Sequence, residues 1–147
     1  MVRIAFAESV ADIERCFPVI SQLRPHLARE DFPGRVQRQH AESGYQLVYL
    51  EDESEVKAVA GFRVAEYLAW GKTLYVDDLV TDAAARSQGY GGRLFDWLVA
   101  YARAQGCDQL HLDSGVQRFG AHRFYLQKRM HITSHHFALD LRNINPT

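Results

Sequence analysis

A glycine-rich stretch over residues 86–92 has the residue types of an anion-binding loop. Its sequence, RSQGYGG, follows a strand-like segment and precedes a segment with the apolar spacing of a helix. The first turn of a helix carries unpaired amide N–H groups and the positive end of the helix dipole. Glycines let the backbone close around an anion without interference from Cβ atoms, and Arg86 adds a positive charge at the rim. This pattern predicts a pyrophosphate-binding site.

Other phosphate-binding loops fit this stretch less well. A Walker loop requires Gly-Lys followed by Ser or Thr, and residues 86–92 contain none. A Rossmann loop follows the first strand of a βαβ unit, whereas this stretch lies late in the chain. The remaining pattern is R-x-x-G-x-G after a strand that ends in Leu-Val-Thr-Asp. A glycine-rich turn is often only a connection, so its interpretation depends on the context.

Two adjacent acids, Asp77 and Asp78, lie in the middle of the strand-like segment KTLYVDDLVT. A buried carboxylate is costly without a partner, so two in succession indicate a function. Alternation along a strand predicts that the two side chains point to opposite faces and do not form a carboxylate pair. An acid here could bind an ammonium group and take its proton, directly or through one water. Glu66, on the preceding strand, is a further candidate base.

The elements that position these residues are expected to form a mixed α/β fold. The acidic run EDESE, between the second and third strands, is interpreted as a solvated hairpin tip. The element order predicts an antiparallel front half and a βαβ crossover in the second half. No composition shift or repeat marks a boundary, so a single domain over residues 1–147 is predicted. Alternation predicts strands over 2–6, 45–50, 56–67, 72–81 and 109–113, with one or two closing strands over 132–139; helical spacing predicts helices over 10–23, 33–42, 90–105 and 117–129.

Composition and charge exclude several classes of protein. The chain has 147 residues, 24% of them charged, with a formal net charge of −1. These values are typical of an ordered globular domain and argue against a general nucleic-acid binder, which needs a basic surface. The apolar runs are far shorter than the ~20 residues that span a membrane, and we expect a cytoplasmic protein without a membrane partner. Cys16 and Cys107 lack disulfide or metal-ligand spacing and are interpreted as small buried apolar residues.

The near-zero net charge conceals a segregation along the chain. Residues 1–85 contain 9 Lys and Arg against 14 Asp and Glu, whereas residues 86–129 contain 7 against 3. The basic segment includes the predicted pyrophosphate loop, and the acidic segment includes Asp77 and Asp78. The basic segment would suit an anionic ligand, and the acidic segment would suit a cationic one.

Residues 74–139 resemble the GNAT superfamily of acetyl-coenzyme A-dependent N-acetyltransferases. The R/Q-x-x-G-x-G/A loop of that family matches Arg86, Gly89 and Gly91. Its small residue after the crossover strand matches Ser114, and its tyrosine-bearing helix matches AHRFYLQK with Tyr125. The order of elements before residue 74 also fits, so the resemblance covers nearly the whole chain. The chain departs from many members after this helix, where it has Arg-Met in place of Gly-Phe.

The resemblance implies a GNAT fold, a twisted and mostly antiparallel mixed sheet that opens between two central strands to admit acetyl-coenzyme A. By resemblance, the Leu79 amide would polarise the thioester carbonyl and Tyr125 would protonate the departing sulfur. The acids of diamine N-acetyltransferases receive a cationic amine, and on that likeness Asp77 is preferred to Asp78 as the base. The cofactor-binding residues implied are Leu79, Val80, Arg86, Ser87, Gln88, Gly89, Gly91, Gly92 and Ser114.

Four histidines near the C-terminus invite comparison with a metal site. His131, His135 and His136 lie close in sequence, and His122 precedes them. This part resembles aminoalkylphosphonate N-acetyltransferases, some of which use a divalent ion. The family does not generally need a metal, so no metal is expected, and His135 or His136 could instead face the substrate.

The predicted activity is transfer of an acetyl group from acetyl-coenzyme A to a primary amine of a small metabolite. Direct attack is expected, because neither cysteine lies in the loop or strand motifs. The alternatives are acetylation of a protein N-terminus or lysine, and a non-catalytic module that binds acetyl-coenzyme A. Homodimerisation is compatible with the family, and no motif names the acceptor.

Overall fold

The computed structural model describes residues 1–142, and its central sheet has five strands in the order β1-β2-β3-β4-β5. Strands β1 to β4 are antiparallel neighbours, and β5 runs parallel to β4 after the crossover helix α3. The mixed α/β fold with an antiparallel front is therefore confirmed. No helix of these residues is long and apolar enough to cross a membrane. The elements are β1 (Arg3–Phe6), α1 (Val10–Leu23), α2 (Phe32–Ser43), β2 (Gln46–Asp52), β3 (Glu55–Tyr67), β4 (Gly71–Thr81), α3 (Tyr90–Ala104), β5 (Gln109–Leu112) and α4 (Phe119–Gln127).

The chain divides into two compact units, Met1–Leu112 and Asp113–Thr147. The first unit holds the sheet with α1, α2 and α3, and the second holds α4. The single domain over residues 1–147 stays a prediction.

The helix boundaries agree with the capping residues that the sequence shows. The Ser9 side chain accepts a hydrogen bond from the Asp12 amide at 3.1 Å, as expected for an N-cap. Helix α1 ends before Pro25, because the residue that precedes a proline is pushed out of the helical region. Gly44 (φ 73°) and Gly106 (φ 74°) follow α2 and α3 in the left-handed conformation that terminates many helices.

Two apolar clusters cover the two faces of the sheet. On one face, α1 and α2 pack against a cluster that includes Leu47, Tyr49 and Val80. On the other, α3 packs against a cluster that includes Phe62 and Val76. We call these the α1–α2 face and the α3 face. Alternation along each strand assigns successive residues to opposite faces, so a break in alternation is easily seen.

The predicted closing strands over residues 132–139 are wrong. Residues 130–140 are assigned to neither helix nor strand. Ile132, Phe137 and Leu139 are 77%, 91% and 69% exposed. An alternating pattern becomes a strand only when a neighbouring strand takes its hydrogen bonds and a core covers one face. Within residues 1–142, neither face of this segment is covered.

Candidate functional site

A β-bulge in β4 places both acids on one face of the sheet. Gly61 pairs with Asp78 and Phe62 pairs with Val76, which leaves Asp77 as an extra residue. Val76 belongs to the α3 face, whereas both carboxylates contact side chains of the α1–α2 face. The prediction that the two acids point to opposite faces is therefore wrong, because the bulge interrupts the alternation on which it depended.

Asp78 is held by two donors from different elements. The Tyr45 hydroxyl donates to Asp78 Oδ2 at 2.7 Å, and Arg24 Nε donates to Asp78 Oδ1 at 2.8 Å. Arg24 Nη2 also donates to the main-chain carbonyl of Asp77 at 2.9 Å. Burial, followed by the charge of Asp78, raises the pKa of Tyr45 well above its usual value, so the phenol stays a donor. Asp78 thus links the end of α1 and the start of β2 to the bulge.

Asp77 keeps one carboxylate oxygen without a hydrogen bond. Arg63 Nε donates to Asp77 Oδ2 at 3.0 Å, whereas Oδ1 is buried and has no partner within residues 1–142. Burial raises the pKa of Asp77, and the Arg63 guanidinium opposes that rise. Arg63 is itself held by Gln39 Oε1 at 2.7 Å and by the Ser43 hydroxyl. A desolvated carboxylate with an unused oxygen has the properties of a general base.

Within residues 1–142, the second half of β4 has no strand partner on the side of β5 beside this bulge. Strand β4 pairs with β5 only from Thr73 to Val76, whereas β4 itself continues to Thr81. Beyond Val76, the recorded partners of β4 are residues of β3, among them Ala60 opposite Leu79. An extended ligand with amide groups could therefore bind along residues 78–81 as an added strand would.

Helix α3 begins without a side-chain cap at the predicted pyrophosphate loop. Gly89 is the N-cap in a left-handed conformation (φ 82°), and Ser87 also has a positive φ of 68°. The Arg93 amide donates the i→i−4 hydrogen bond to the Gly89 carbonyl at 3.1 Å. The amides of residues 90–92 therefore come before the first helical hydrogen bond of α3. A Cβ atom on Gly91 would lie 2.8 Å from Thr81 Oγ1, so a larger residue there would displace the Thr81 side chain. Arg86, Ser87, Gln88 and Gly89 are exposed, and Gly92 is half-buried. These features fit a pyrophosphate.

Hydrogen bonds made by Tyr90 and Gln22 stabilise the segment around the predicted pyrophosphate loop. The Tyr90 hydroxyl donates to Asp52 Oδ2 at 2.7 Å. Gln22 Nε2 donates to Asp82 Oδ1 at 3.0 Å, and Gln22 Oε1 accepts the Ala83 amide at 2.8 Å. The sequence interpretation of EDESE as a solvated tip missed the role of Asp52. It also missed Gln22, because a contact 60 residues away in the chain leaves no local pattern.

Glu66 is not brought to the same place. It is exposed and pairs with Lys72 in the β3–β4 ladder, five residues along β4 from Asp77. At the usual rise of a strand, this corresponds to about 16 Å. Of the three candidate bases, the structure brings together Asp77 and Asp78 and leaves Glu66 apart.

Tyr125 and Ser114 belong to the second unit. Tyr125 lies on α4 and is buried, with 9% of its surface exposed. Burial raises the pKa of its phenol, and Arg118 opposes the rise. The Ser114 hydroxyl oxygen is buried and has no hydrogen-bond partner in the described part of the chain.

The histidines do not converge. His122 Nε2 lies 2.7 Å from the Gly115 carbonyl, and His136 Nδ1 lies 3.4 Å from Asp113. His131 and His135 are exposed. Among the 142 residues described, no three His, Cys, Asp or Glu side chains form a group that could hold a metal ion.

The two cysteines differ in burial. Cys16 is fully buried, and burial raises the pKa of its thiol to about 12. Cys107 is half-buried, and burial raises its pKa as well. A thiolate is therefore disfavoured at both positions at neutral pH.

The model of the acetyltransferase (GNAT) family matches residues 7–131. The chain belongs to this family. An uncharacterised N-acetyltransferase from Bacillus subtilis (strain 168), YhdJ, is 33% identical over 128 residues, which are 87% of this chain and 90% of that protein. Glucosamine 6-phosphate N-acetyltransferase 1 from Oryza sativa subsp. japonica is 35% identical over 106 residues, 67% of this chain and 64% of that protein.

Solved structures show the same fold at lower sequence identity. A glucosamine-6-phosphate N-acetyltransferase from Arabidopsis thaliana has a TM-score of 0.76 at 19% identity, over 96% of this chain and 99% of that one. A Trypanosoma brucei acetyltransferase has a TM-score of 0.78 at 18% identity, over 96% of this chain and 100% of that one. This GNAT protein is therefore an acyltransferase that uses acetyl-coenzyme A as its cosubstrate.

Proposed function

We propose that this GNAT enzyme acetylates a primary amine of a small metabolite, with Asp77 as the general base. The buried Oδ1 of Asp77, which has no hydrogen-bond partner within residues 1–142, carries this proposal, because Asp77 lies on β4 directly after the last residue that pairs with β5. An amine must lose a proton to attack a thioester, and a carboxylate with a raised pKa and a free oxygen can take it.

Other residues of the chain would bind acetyl-coenzyme A and stabilise the reacting thioester. The uncapped amides at the start of α3 would bind the pyrophosphate of acetyl-coenzyme A, with Arg86 at the rim. The β4 backbone would bind the extended arm, and the Leu79 amide would stabilise negative charge on the thioester oxygen. Tyr125 would give its proton to the sulfur that leaves when the new C–N bond forms. The cosubstrate supplies the acetyl group as a reactive thioester.

A cavity of about 280 Å³ supports a small acceptor. It lies between β1, α1, α2 and β2, and its lining includes Glu8, His40 and Tyr45. Tyr45 also hydrogen-bonds Asp78, so the cavity and the bulge share a side chain. Its volume is just below the usual range of small-molecule sites. The rice relative is named for glucosamine 6-phosphate, which is also a small amine.

An amine panel with detection of free coenzyme A tests the proposal. We expect thiol release with small primary amines and a lower turnover number for Tyr125→Phe, with little change in affinity for acetyl-coenzyme A. Faster release with peptides would favour the protein acetyltransferase alternative. Binding of acetyl-coenzyme A without release from any amine would favour the non-catalytic alternative. Homodimerisation and a cytoplasmic location stay predictions.

A further inference from the structure

The four charged side chains around the β4 bulge balance one another. Asp77 pairs with Arg63 at 3.0 Å, and Asp78 pairs with Arg24 at 2.8 Å. Two unpaired acids would attract a cationic amine strongly. Two ion pairs offer little net attraction to an incoming ion of either sign, because each guanidinium and its carboxylate cancel much of each other's field. A charged ligand is then bound through whichever hydrogen-bonding groups the two pairs leave free. The cluster therefore does not select for a polycation.

The two arginines differ in how many hydrogen-bond donors they have left. Arg63 donates hydrogen bonds from Nε to Asp77, from Nη1 to Ser43 and from Nη2 to Gln39. Arg24 uses Nε and Nη2, and its Nη1 makes no hydrogen bond within residues 1–142. The Arg24 side chain is 42% exposed, compared with 27% for Arg63. Arg24 thus presents a fixed, partly solvated positive group beside the candidate base.

We propose that Arg24 binds an anionic group, a carboxylate or a phosphate, on the acceptor, so that the acceptor is an amine that also carries negative charge. This inference rests on the proposed function. The Nη1 group that Arg24 has left can donate to either anion, and Asp78 with the Asp77 carbonyl fixes the position of the guanidinium at the bulge. The anion would be bound at one end of the acceptor while Asp77 receives the proton of the amine.

Paired amines test this specificity. We compare kcat/KM for glucosamine 6-phosphate with that for glucosamine, and for β-alanine with that for propylamine; putrescine serves as the dication. For Arg24→Gln, kcat/KM for the anionic acceptor divided by kcat/KM for its neutral partner should fall by about 10- to 100-fold. This is the usual effect of removing a hydrogen bond to a charged group. Arg24→Lys should restore part of the ratio. The two pairs distinguish a phosphate from a carboxylate.

Arg29→Gln is the matched control. It removes the same charge from the connection that follows α1, where Arg29 packs over the Phe17 ring at 5.0 Å. In Arg29→Gln, the ratio of kcat/KM for the anionic acceptor to kcat/KM for the neutral one should equal the wild-type ratio. An equal loss on all amines in Arg24→Gln would mean that Arg24 only supports Asp78, and this would overturn the inference.

The thermal midpoint of unfolding separates failure of this inference from failure of the proposed function. If no amine is acetylated but glucosamine 6-phosphate or β-alanine raises the midpoint of the wild type and not that of Arg24→Gln, the anion site stands and the proposed activity is wrong. If putrescine or the neutral amines are preferred and the ratio is unchanged in Arg24→Gln, the activity stands and the anion site is wrong. If no amine reacts and neither anionic amine raises the midpoint, both are wrong.

Discussion

Gly61→Ala is expected to break the contact that positions Asp78. A Cβ atom at this position would overlap Tyr45 Oη and Cζ and would lie 2.7 Å from Cε1. The buried Tyr45 ring lies against Gly61, and its hydroxyl donates to the Asp78 carboxylate. An added methyl group therefore displaces the ring, and the hydrogen bond to Asp78 is lost. The change adds one methyl group and removes no charge.

Two costs combine in this variant. Losing a hydrogen bond to a charged group costs about 1.5–3 kcal/mol. Overpacking a tight contact adds about 1–3 kcal/mol. A total near 4 kcal/mol would lower the midpoint of thermal unfolding by roughly 10 °C or more for a protein of this size. We also expect a fall in kcat/KM, since the bulge that holds Asp77 is next to the displaced ring.

Circular dichroism during heating measures the effect. Gly34→Ala is the control, because a Cβ atom there meets nothing within 4 Å and alanine is the better helix former. In a Tyr45→Ala background the cost of Gly61→Ala should fall below about 1 kcal/mol, because the two residues are in direct contact. An unchanged midpoint for Gly61→Ala, or the same cost in both backgrounds, would refute this reasoning.

The remaining predictions concern the loop, the base and the buried thiol. Gly91→Val should weaken acetyl-coenzyme A binding by about tenfold or more, because its side chain meets Thr81 Oγ1; an unchanged Kd by calorimetry would contradict the loop assignment. Arg63→Gln should move the acid limb of kcat/KM to higher pH, because the guanidinium lowers the pKa of Asp77; a limb that stays in place would show that Asp77 does not govern it. Cys16, with a thiol pKa of about 12, should react with a disulfide reagent at pH 8 only after unfolding; rapid labelling of the native protein would contradict its burial.

Local patterns predicted most of the fold. The N-cap at Ser9 and the glycines after α2 and α3 depend on neighbours within a few residues, so the sequence could reveal them. The glycine-rich turn before α3 is visible in the sequence for the same reason, and its role in binding pyrophosphate stays a prediction. The closing strands were wrong because a strand needs a partner that the alternating pattern does not specify.

The acid site could be predicted only in part. The sequence showed Asp77 and Asp78, but a one-residue bulge decides which face each side chain takes, and no residue type in KTLYVDDLVT marks it. Arg24 and Arg63 reach these acids from 54 and 14 residues away. Such contacts depend on how α1 and β3 lie against β4, so they emerge only when the elements are assembled.

The pH dependence of kcat/KM in the wild type and Asp77→Asn tests the central claim most directly. The wild type should lose activity as the pH falls through the raised pKa of Asp77, because protonation removes the base. Asp77→Asn should lower kcat/KM by roughly 10²–10⁴-fold and abolish that limb. Asp78→Asn, the matched control, should lower stability and keep the acid limb, moved to lower pH because the charge of Asp78 contributes to the raised pKa of Asp77. An Asp77→Asn enzyme with the wild-type kcat/KM and the same acid limb would contradict the assignment of Asp77 as the base.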